Sequence, residues 1–303
     1  MKNQKDDAKL ILKNNGKSFF WASKFLPSLY VDRAAELYKF CRILDDIADS
    51  GEKTSLDNLQ NFYNQFKKND IASFNKLNNH SLNCPEYLTL NSKKAVINLL
   101  DGLIFDQKTV LIQEESDLIC YSYQVAGTVG VMMCDALQCH NEKAKLFAID
   151  LGIAMQLTNI ARDVLEDAKM GRRYLPGSWV NQASPEEIVL ASKNNNHVKN
   201  NIISIAVERL LTLAEQYYLS GSQGFIYLPI KTRFAIAIAS SVYREIGIQL
   251  KRKKYNWYEG RQVTTMGTKL KVSVKNLFLE LASISKQEVD HNTHLHQYLK
   301  DIL

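Results

Sequence analysis

The amino-acid sequence predicts an all-α protein, and three observations support this fold class. Only 13 Gly and 5 Pro occur among 303 residues, too few for the many turns of a β-sandwich or β-barrel. Apolar residues recur at spacings of three and four along most of the chain, which places them on one face of an α-helix. The alternation of apolar and polar residues that is typical of a half-buried strand is nowhere sustained.

Eight helices account for the apolar spacing. A clear example is the stripe formed by Leu146, Ile149, Ile153, Leu157 and Ile160, whose members are three or four residues apart. In chain order, the predicted helices span 29–50, 54–68, 86–108, 114–138, 142–168, 199–219, 229–254 and 267–285.

Three segments rich in Asn, Ser, Gly or Pro predict loops, at 69–85, 169–185 and 194–201. None of them has the composition of a long Gly/Ser linker. We therefore expect a single helical domain over residues 1–303, with 1–15 and 286–303 as peripheral ends.

The overall composition is that of an ordinary soluble globular protein. Hydrophobic residues make up 46% of the chain and charged residues 23%, which excludes a disordered polypeptide. The formal net charge of +6 at pH 7 suits an anionic partner, which could be nucleic acid, membrane headgroups or a phosphorylated small molecule. Charge alone does not choose among these partners.

The sequence lacks export and membrane-spanning signals, so we expect a cytoplasmic protein. The charged amino-terminal end has no apolar run of signal-peptide length. The most apolar stretch, 225–243, is broken by Lys231 and Arg233, which makes it a poor membrane span. Five cysteines without a CxxC pair favour a reducing compartment over a disulfide framework.

One group of metal-ligand residues is incomplete. Cys134, Cys139 and His140 lie close together in the sequence, but no second Cys/His pair completes a four-ligand zinc set. We therefore expect no zinc site there.

A first acidic motif, Arg42-Ile-Leu-Asp45-Asp46-Ile-Ala-Asp49, lies within an apolar helix. Asp45 and Asp49 are one turn apart, roughly 40° around the axis and about 6 Å along it, so both carboxylates face one point. Their mutual repulsion calls for a cation between them. For an isolated DDxxD motif, a solvated acidic helix end is the alternative.

A second acidic motif favours the cation interpretation. Asn159, Asp163 and Asp167 recur every four residues and present one amide and two carboxylate oxygens along one ridge. Oxygen ligands of this kind suit magnesium, which is completed by water and substrate phosphates. Guanidinium groups grip phosphate oxygens, and arginines flank both motifs: Arg42, Arg162, Arg172 and Arg173.

Aromatic and small residues accompany the acidic motifs. Segment 18–27 mixes Ser with Phe and Trp, and segment 121–133 carries two tyrosines and places Gly127 and Gly130 in a helical pattern. Close helix packing and close approach of a ligand both explain such glycines. Acidic metal sites beside aromatic, apolar helices fit departure of diphosphate from a hydrocarbon, since ring faces stabilise a carbocation.

The order of these motifs closely resembles the squalene/phytoene synthase family. The similarity covers residues 16–272, and the second acidic block with its RRYLP ending is its most specific part. The matching segments are KSFFWASKFLP, YKFCRILDDIADS, YSYQVAGTVGVMM, LGIAMQLTNIARDVLEDAKMGRRYLP, VYREIG and KYNWYEGRQVTTMGTKL.

This resemblance implies the all-helical isoprenoid (terpenoid) synthase fold, with a central active-site cavity between facing acidic helices. It assigns magnesium, or manganese as a substitute, to Asp45, Asp49, Asn159, Asp163 and Asp167. The implied substrate-binding residues are Ser18, Tyr38, Arg42, Gln156, Arg162, Arg173, Tyr174, Tyr243 and Arg261. The implied catalytic residues are Asp45, Asp49, Asp163, Asp167, Arg42 and Tyr121.

The reaction implied by the resemblance is head-to-head condensation of two identical prenyl diphosphates. The segments VYREIG, NWYEGRQVTT and TKL look most like bacterial phytoene synthases. We therefore expect a 15-cis-phytoene synthase, which converts two geranylgeranyl diphosphates through prephytoene diphosphate into phytoene and diphosphate. Such an enzyme ends by losing a proton and needs no NADPH.

Two alternatives remain open. A squalene, dehydrosqualene or presqualene diphosphate synthase would use two farnesyl diphosphates. A binding protein built on the same fold would be expected to lose its metal-binding acids, and all of these are present.

The carboxy-terminal part carries weaker signals. We expect no hydrophobic carboxy-terminal anchor of the kind that eukaryotic squalene synthases have. The basic run Lys251–Lys254 suits peripheral contact with an anionic membrane surface. We expect no nucleic-acid partner. His291, His294 and His296 fit a solvated helix end, and we assign them no role.

Overall fold

The structure is a computed structural model that describes residues 2–50, 52, 54–68, 84–193, 197–282 and 288–303. Within these ranges the regular structure is helical. The β-type pairing there is an isolated bridge between Leu111 and Arg173. The predicted all-α class is confirmed. None of the described helices is long and apolar enough to cross a membrane.

Twelve α-helices occur in the described part of the chain. They are α1 (Lys2–Asn15), α2 (Lys17–Ser23), α3 (Ser28–Asp49), α4 (Ser55–Lys67), α5 (Leu90–Phe105), α6 (Glu115–Ser122), α7 (Thr128–Ala136), α8 (Glu142–Lys169), α9 (Pro185–Lys193), α10 (His197–Gln223), α11 (Ile230–Arg252) and α12 (Met266–Ala282). A π-helical turn, Tyr123–Gly127, joins α6 to α7, and 3-10 turns occur at Gly177–Trp179, Gly224–Tyr227 and Thr293–His296.

All eight predicted helices occur, although one of them is interrupted and the end of another, 283–285, lies outside the described residues. The predicted helix 114–138 consists of α6, the π-helical turn and α7. In addition, α1, α2 and α9 form without having been predicted. Ala8 and Leu12 are the described core residues of α1, and α2 and α9 are short, so their apolar stripes are weak in the sequence.

The predicted loops agree in part with the structure. The loop at 169–185 is confirmed, because it holds no α-helix between the end of α8 and the start of α9. Helix α10 begins at His197, so the predicted loop 194–201 is wrong from that residue onwards. Most of the predicted loop 69–85 lies outside the described residues.

Helix α8 is the centre of the packing and contacts α7, α9, α10 and α11. Its buried side chains include Phe147, Ile153, Leu157 and Ala161, each exposed by 1% or less. A helix with neighbours on several sides is held mainly by these apolar contacts. The second acidic motif therefore stands on a helix that packs against several others.

Two glycines allow α8 to lie very close to α7 and to the π-helical turn that precedes α7. A Cβ at Gly130 would lie 2.2 Å from the carbonyl oxygen of Ala148, and a Cβ at Gly152 would lie 2.3 Å from that of Ala126. No side chain fits at such distances. Close helix packing is therefore the reason for Gly130 in the helical pattern.

The carboxy-terminal segment 288–303 packs against the helices. Leu299 is fully buried, and the Tyr217 hydroxyl donates a hydrogen bond of 2.8 Å to the carbonyl oxygen of Leu295. The side chains of His291 and His296 are buried against Asp150 and are 4% and 7% exposed. The prediction of a solvated helix end is wrong for these two histidines, because a buried carboxylate accepts their hydrogen bonds.

Candidate active site

Helix α3 supplies the first wall of an acidic cavity. Asp45 and Asp49 line this cavity, as their one-turn spacing predicts. Asp46 points away from it, since its side chain is 57% exposed and pairs with Arg42 at 2.5 Å. The DDxxD motif thus contributes two carboxylates to the cavity.

Helix α8 supplies the second wall. Gln156, Asn159, Asp163 and Asp167 line the same cavity, so the four-residue spacing does place these groups on one ridge. The backbone at Asp163 leaves helical geometry, with φ −107° and ψ 15°. This local kink lies at the midpoint of the motif.

Asp163 is held between two arginines. The Nε atom of Arg162 donates a hydrogen bond of 2.7 Å to Oδ1, and its Nη2 atom donates to Oδ2. The Nε and Nη2 atoms of Arg261 lie 2.9 Å and 3.1 Å from the same two oxygens. These charge-assisted contacts fix the carboxylate and bring both arginines to the cavity wall.

A third wall is built from Asp106, which follows the last residue of α5. The hydroxyl groups of Tyr121 and Tyr174 donate hydrogen bonds of 2.8 Å and 2.9 Å to its two oxygens. The two tyrosine rings stack with their centroids 4.9 Å apart. Arg172 completes this wall and donates a hydrogen bond of 3.2 Å to Asp49.

A short backbone pairing positions Arg172 and Tyr174. The N–H of Arg173 donates to the carbonyl oxygen of Val110 at 2.8 Å, and the N–H of Ile112 donates to the carbonyl oxygen of Arg173 at 3.0 Å. Since side chains alternate along extended backbone, the residues on either side of Arg173 face the cavity.

Unlike its two neighbours, the side chain of Arg173 does not line the acidic cavity. It is 3% exposed, and it donates hydrogen bonds to the carbonyl oxygens of Ala183 and Ile112 at 3.1 Å and 3.0 Å. Arg173 therefore braces the loop behind the cavity, and Arg172 is the arginine of this pair that faces the acids.

Burial raises the pKa of three carboxyl groups in this cavity. The pKa rises to about 7 for Asp45, about 8 for Asp167 and about 6 for Asp106. Negative charge on Asp49 adds to the effect at Asp45, and that on Asp163 adds to the effect at Asp167. A positive ion placed among these groups would favour their ionised forms.

One orphaned polar atom also fits a cation. The Oδ1 atom of Asn159 is buried and has no hydrogen-bond partner among the described residues, while its Nδ2 atom contacts Gln156 at 3.4 Å. An unpaired amide oxygen beside the carboxylates of Asp163 and Asp167 matches the oxygen ligands of a hard divalent ion. The residues present therefore fit the expected metal.

A larger, mainly apolar cavity adjoins the acidic one. Its volume is about 420 Å³, against about 250 Å³ for the acidic cavity. The two cavities share Asp45, Val125, Gln156 and Asn159. Among the apolar side chains that line the larger cavity are Phe19, Leu26, Met133, Leu137, Phe147 and Leu151.

Aromatic rings stand where the two cavities meet. The ring of Phe19 lies 6.2 Å from that of Tyr38 and 5.0 Å from that of Tyr243, measured between centroids. All three residues line the apolar cavity next to Arg42 and Asp45. The apolar cavity is thus lined by these aromatic rings together with charged groups that reach the acidic cavity.

Most of the predicted site residues meet at these cavities. Arg261 reaches the acidic wall only through Asp163, while Ser18 and Arg173 line neither cavity. The predicted residues that do line one or both cavities are Tyr38, Arg42, Asp45, Asp49, Tyr121, Gln156, Asn159, Arg162, Asp163, Asp167, Tyr174 and Tyr243.

Sequence reasoning missed Asp106. No spacing links this residue to either acidic motif, because it lies on a separate helix end. One signal was available: an acid directly after the last turn of a helix faces the negative end of the helix dipole, which disfavours its charge. Such a residue needs compensating partners, and the structure provides two tyrosines.

Comparisons with known proteins point to one family. The squalene/phytoene synthase family model matches residues 12–269. A phytoene synthase from Pseudescherichia vulneris is 31% identical over 276 residues, which cover 88% of each chain. A 15-cis-phytoene synthase from Pantoea ananas is 30% identical over 292 residues, which cover 93% of each chain. Among solved structures, a dehydrosqualene synthase in complex with a ligand matches with a TM-score of 0.77 and 25% identity, covering 93% of this chain and 98% of that one.

Proposed function

The chain belongs to the squalene/phytoene synthase family, and from this membership we propose that it is a 15-cis-phytoene synthase that joins two geranylgeranyl diphosphates head to head. The relatives from Pseudescherichia vulneris and Pantoea ananas are phytoene synthases. The observation that carries the proposal is the pair of joined cavities, one acidic and bordered by arginines, the other apolar. The two ends of a prenyl diphosphate need these two environments.

Magnesium is the cation that we propose for the acidic cavity, with manganese as its substitute. The ligands would be Asp45, Asp49, Asn159, Asp163 and Asp167, which all line this cavity. Magnesium supplies, when bound, positive charge that stabilises a departing diphosphate.

Arginines of the chain bind the diphosphate oxygens in this proposal. Arg42 has a buried Nε atom without a hydrogen-bond partner among the described residues, so it retains a donor for an anion. Arg162 and Arg172 line the acidic cavity. Guanidinium groups in a partly desolvated site stabilise negative charge more strongly than they do in water.

The apolar cavity holds the hydrocarbon chains and excludes water. Loss of diphosphate from the first substrate leaves an allylic cation, which the double bond of the second substrate attacks. Loss of a proton closes a cyclopropane ring and gives prephytoene diphosphate. After the second diphosphate leaves, rearrangement and loss of another proton give phytoene. Phe19, Tyr38 and Tyr243 line this cavity, and their rings would stabilise the cations.

Product identification tests the proposal directly. The purified chain is incubated with magnesium and either geranylgeranyl or farnesyl diphosphate, with and without NADPH. We expect phytoene from geranylgeranyl diphosphate, in equal amounts with and without NADPH. A thirty-carbon product formed from farnesyl diphosphate alone would replace the proposal with the squalene-type alternative, and no product from either substrate would favour a binding protein.

We also propose peripheral contact with an anionic membrane surface, in keeping with the greasy substrate and product. Lys251–Lys254 at the carboxyl end of α11 are exposed and supply four positive charges in a row. Such an attachment is electrostatic and weakens with ionic strength. Release of the enzyme from isolated membranes by high salt supports the attachment, whereas complete recovery without salt contradicts it.

A further inference from the structure

A buried cluster of metal-ligand side chains lies outside both cavities. It consists of Asp150 on α8 and of His291 and His296 in the carboxy-terminal segment. One oxygen of Asp150 and one ring nitrogen of each histidine all lie within 4.8 Å of one another. None of the three residues lines the acidic or the apolar cavity.

The contacts within this cluster are short and well shielded. The Nε2 atoms of His296 and His291 lie 2.7 Å and 2.8 Å from the two oxygens of Asp150. The side chain of Asp150 is fully buried, and those of the histidines are 4% and 7% exposed. Polar groups buried to this degree are costly unless they have partners.

The surrounding residues orient the cluster. The hydroxyl group of Ser220 on α10 donates a hydrogen bond of 2.6 Å to Oδ2 of Asp150, as outer hydrogen bonds do for ligating carboxylates in metal sites. The rings of Phe147 and His291 pack edge to face, with centroids 5.2 Å apart. Residues of α8, α10 and the carboxy-terminal segment thus hold the three ligand groups together.

A change of tautomer allows the His291 ring to present Nε2 to a metal. Its Nδ1 atom is buried and has no hydrogen-bond partner among the described residues, so Nδ1 is available to take the proton that Nε2 donates to Asp150. Moving the proton from Nε2 to Nδ1 leaves a lone pair on Nε2. Coordination by a neutral imidazole requires that lone pair.

We propose that Asp150, His291 and His296 bind one zinc ion at a three-ligand site separate from the acidic cavity. Two imidazole nitrogens with one carboxylate oxygen are a ligand set for zinc, whereas magnesium prefers oxygen ligands. With three ligands from the protein, water takes the fourth position of a tetrahedral ion.

This ion fastens the carboxy-terminal segment to the centre of the molecule. Asp150 belongs to α8, and the orienting Ser220 belongs to α10. Phe147, which contacts His291, also lines the apolar cavity. The zinc site therefore stabilises one wall of the apolar cavity through Phe147, and it does not contact the substrate.

Zinc binding to the full-length chain tests the proposal. After treatment with a chelator and its removal, we expect the chain to take up about one zinc ion, measured by calorimetry and by metal analysis. With free zinc at about 100 times its dissociation constant, the melting temperature should rise by about 4 °C. Magnesium binds at the acidic cavity in our proposal, so any rise that it causes should be the same in His296→Gln as in the unaltered chain.

Three variants distinguish zinc binding at this cluster from zinc binding elsewhere on the chain. In His296→Gln the amide can still donate to Asp150, but it is a poor zinc ligand, so the rise in melting temperature should disappear while the metal-free protein stays folded. His294→Ala alters an exposed histidine of the same segment and should keep the full effect. Asp163→Asn removes a carboxylate of the acidic cavity and should keep it as well.

Clear results would overturn the proposal. The proposal is wrong if the unaltered chain does not bind zinc in a one-to-one ratio. It is also wrong if zinc raises the melting temperature of His296→Gln as much as that of the unaltered chain. Loss of the response in Asp163→Asn would move the zinc ion to the acidic cavity instead. Replacement of zinc by cobalt gives a second readout, since coordinated cobalt produces a visible absorption band that His296→Gln should lack.

Discussion

Asp163 links the metal-binding ridge to two arginines, and its substitution tests the proposed site at the scale of one residue. Asp163→Asn preserves the shape of the side chain but removes the charge that Arg162 and Arg261 contact. We expect kcat for phytoene formation to fall by about 10²-fold or more. Product formation in steady-state assays measures this loss, and circular dichroism should show an unchanged helical fold.

A matched control is Asp46→Asn, which alters an exposed acid on the same motif as Asp45. Because Asp46 points away from the acidic cavity, the activity of this variant should change by no more than a few-fold. Equal losses in both variants would argue against a specific role for the carboxylates that line the cavity.

Asp106 supports a second prediction at this scale, and it concerns stability. Asp106→Ala leaves the buried hydroxyl groups of Tyr121 and Tyr174 without their acceptor. An unpaired buried polar group costs about 1–3 kcal/mol, so we expect the free energy of unfolding to fall by about 2 kcal/mol or more. Urea denaturation measures this loss, and a variant as stable as the parent chain would contradict the proposed role of the hydrogen bonds.

The crossing of α7 and α8 makes a prediction at the scale of elements. Gly130→Ala would place a Cβ 2.2 Å from the carbonyl oxygen of Ala148, so the helices must move apart. Overpacking of this kind costs about 1–3 kcal/mol, and the displacement should also lower activity because both helices line the apolar cavity. Thermal unfolding and kcat measure the two effects.

Gly267→Ala is the control for this substitution. Nothing lies within 4 Å of a Cβ at Gly267, which is in the first turn of α12. Alanine favours helices over glycine by about 1 kcal/mol, so this variant should be as stable as the parent chain or slightly more stable. A similar loss in both glycine variants would show that crowding at the crossing is not the cause.

The long helices were predictable from the sequence, and the shorter ones were not. Helix α8 carries a sustained stripe of apolar residues and buries them, so local pattern and tertiary packing agree. Helix α1 contributes Ala8 and Leu12 to the core through contact with Ala35 of α3. Such a helix depends on its neighbour rather than on its own pattern, which is why sequence reasoning overlooked it.

The acidic cavity makes the stability of the whole molecule depend on pH. Burial raises the pKa of Asp45, Asp106 and Asp167 from 3.8 to about 7, 6 and 8. Between about pH 4 and pH 8 the folded chain therefore binds more protons at these groups than the unfolded chain does, and the stability of the metal-free protein falls as pH rises. Melting temperatures measured with a chelator at about pH 5.5 and about pH 8 should show this fall.

Two comparisons isolate the acidic cavity as the source of the pH effect. Asp167→Asn removes the group with the most strongly raised pKa of the three, so the difference between the two melting temperatures should shrink. Magnesium should shrink the same difference in the unaltered chain, because it favours the ionised carboxylates. A pH dependence that neither change affects would place its origin outside the cavity.

The sequence by itself determined the helical class, the order of the long helices and the two acidic ridges, because each depends on spacing within one helix. Spacing also brought Asn159, Asp163 and Asp167 into a line that the structure preserves. The single-domain organisation stays a prediction.

Only the tertiary structure decided which groups share a site across distant parts of the chain. It brought Asp106 to Tyr121 and Tyr174, turned Arg172 rather than Arg173 towards the acids, and buried two carboxy-terminal histidines. None of these contacts lies within a single helix. They depend on how the packed helices bring distant residues together. Periodicity in the sequence describes the faces of one helix and does not predict contacts between helices.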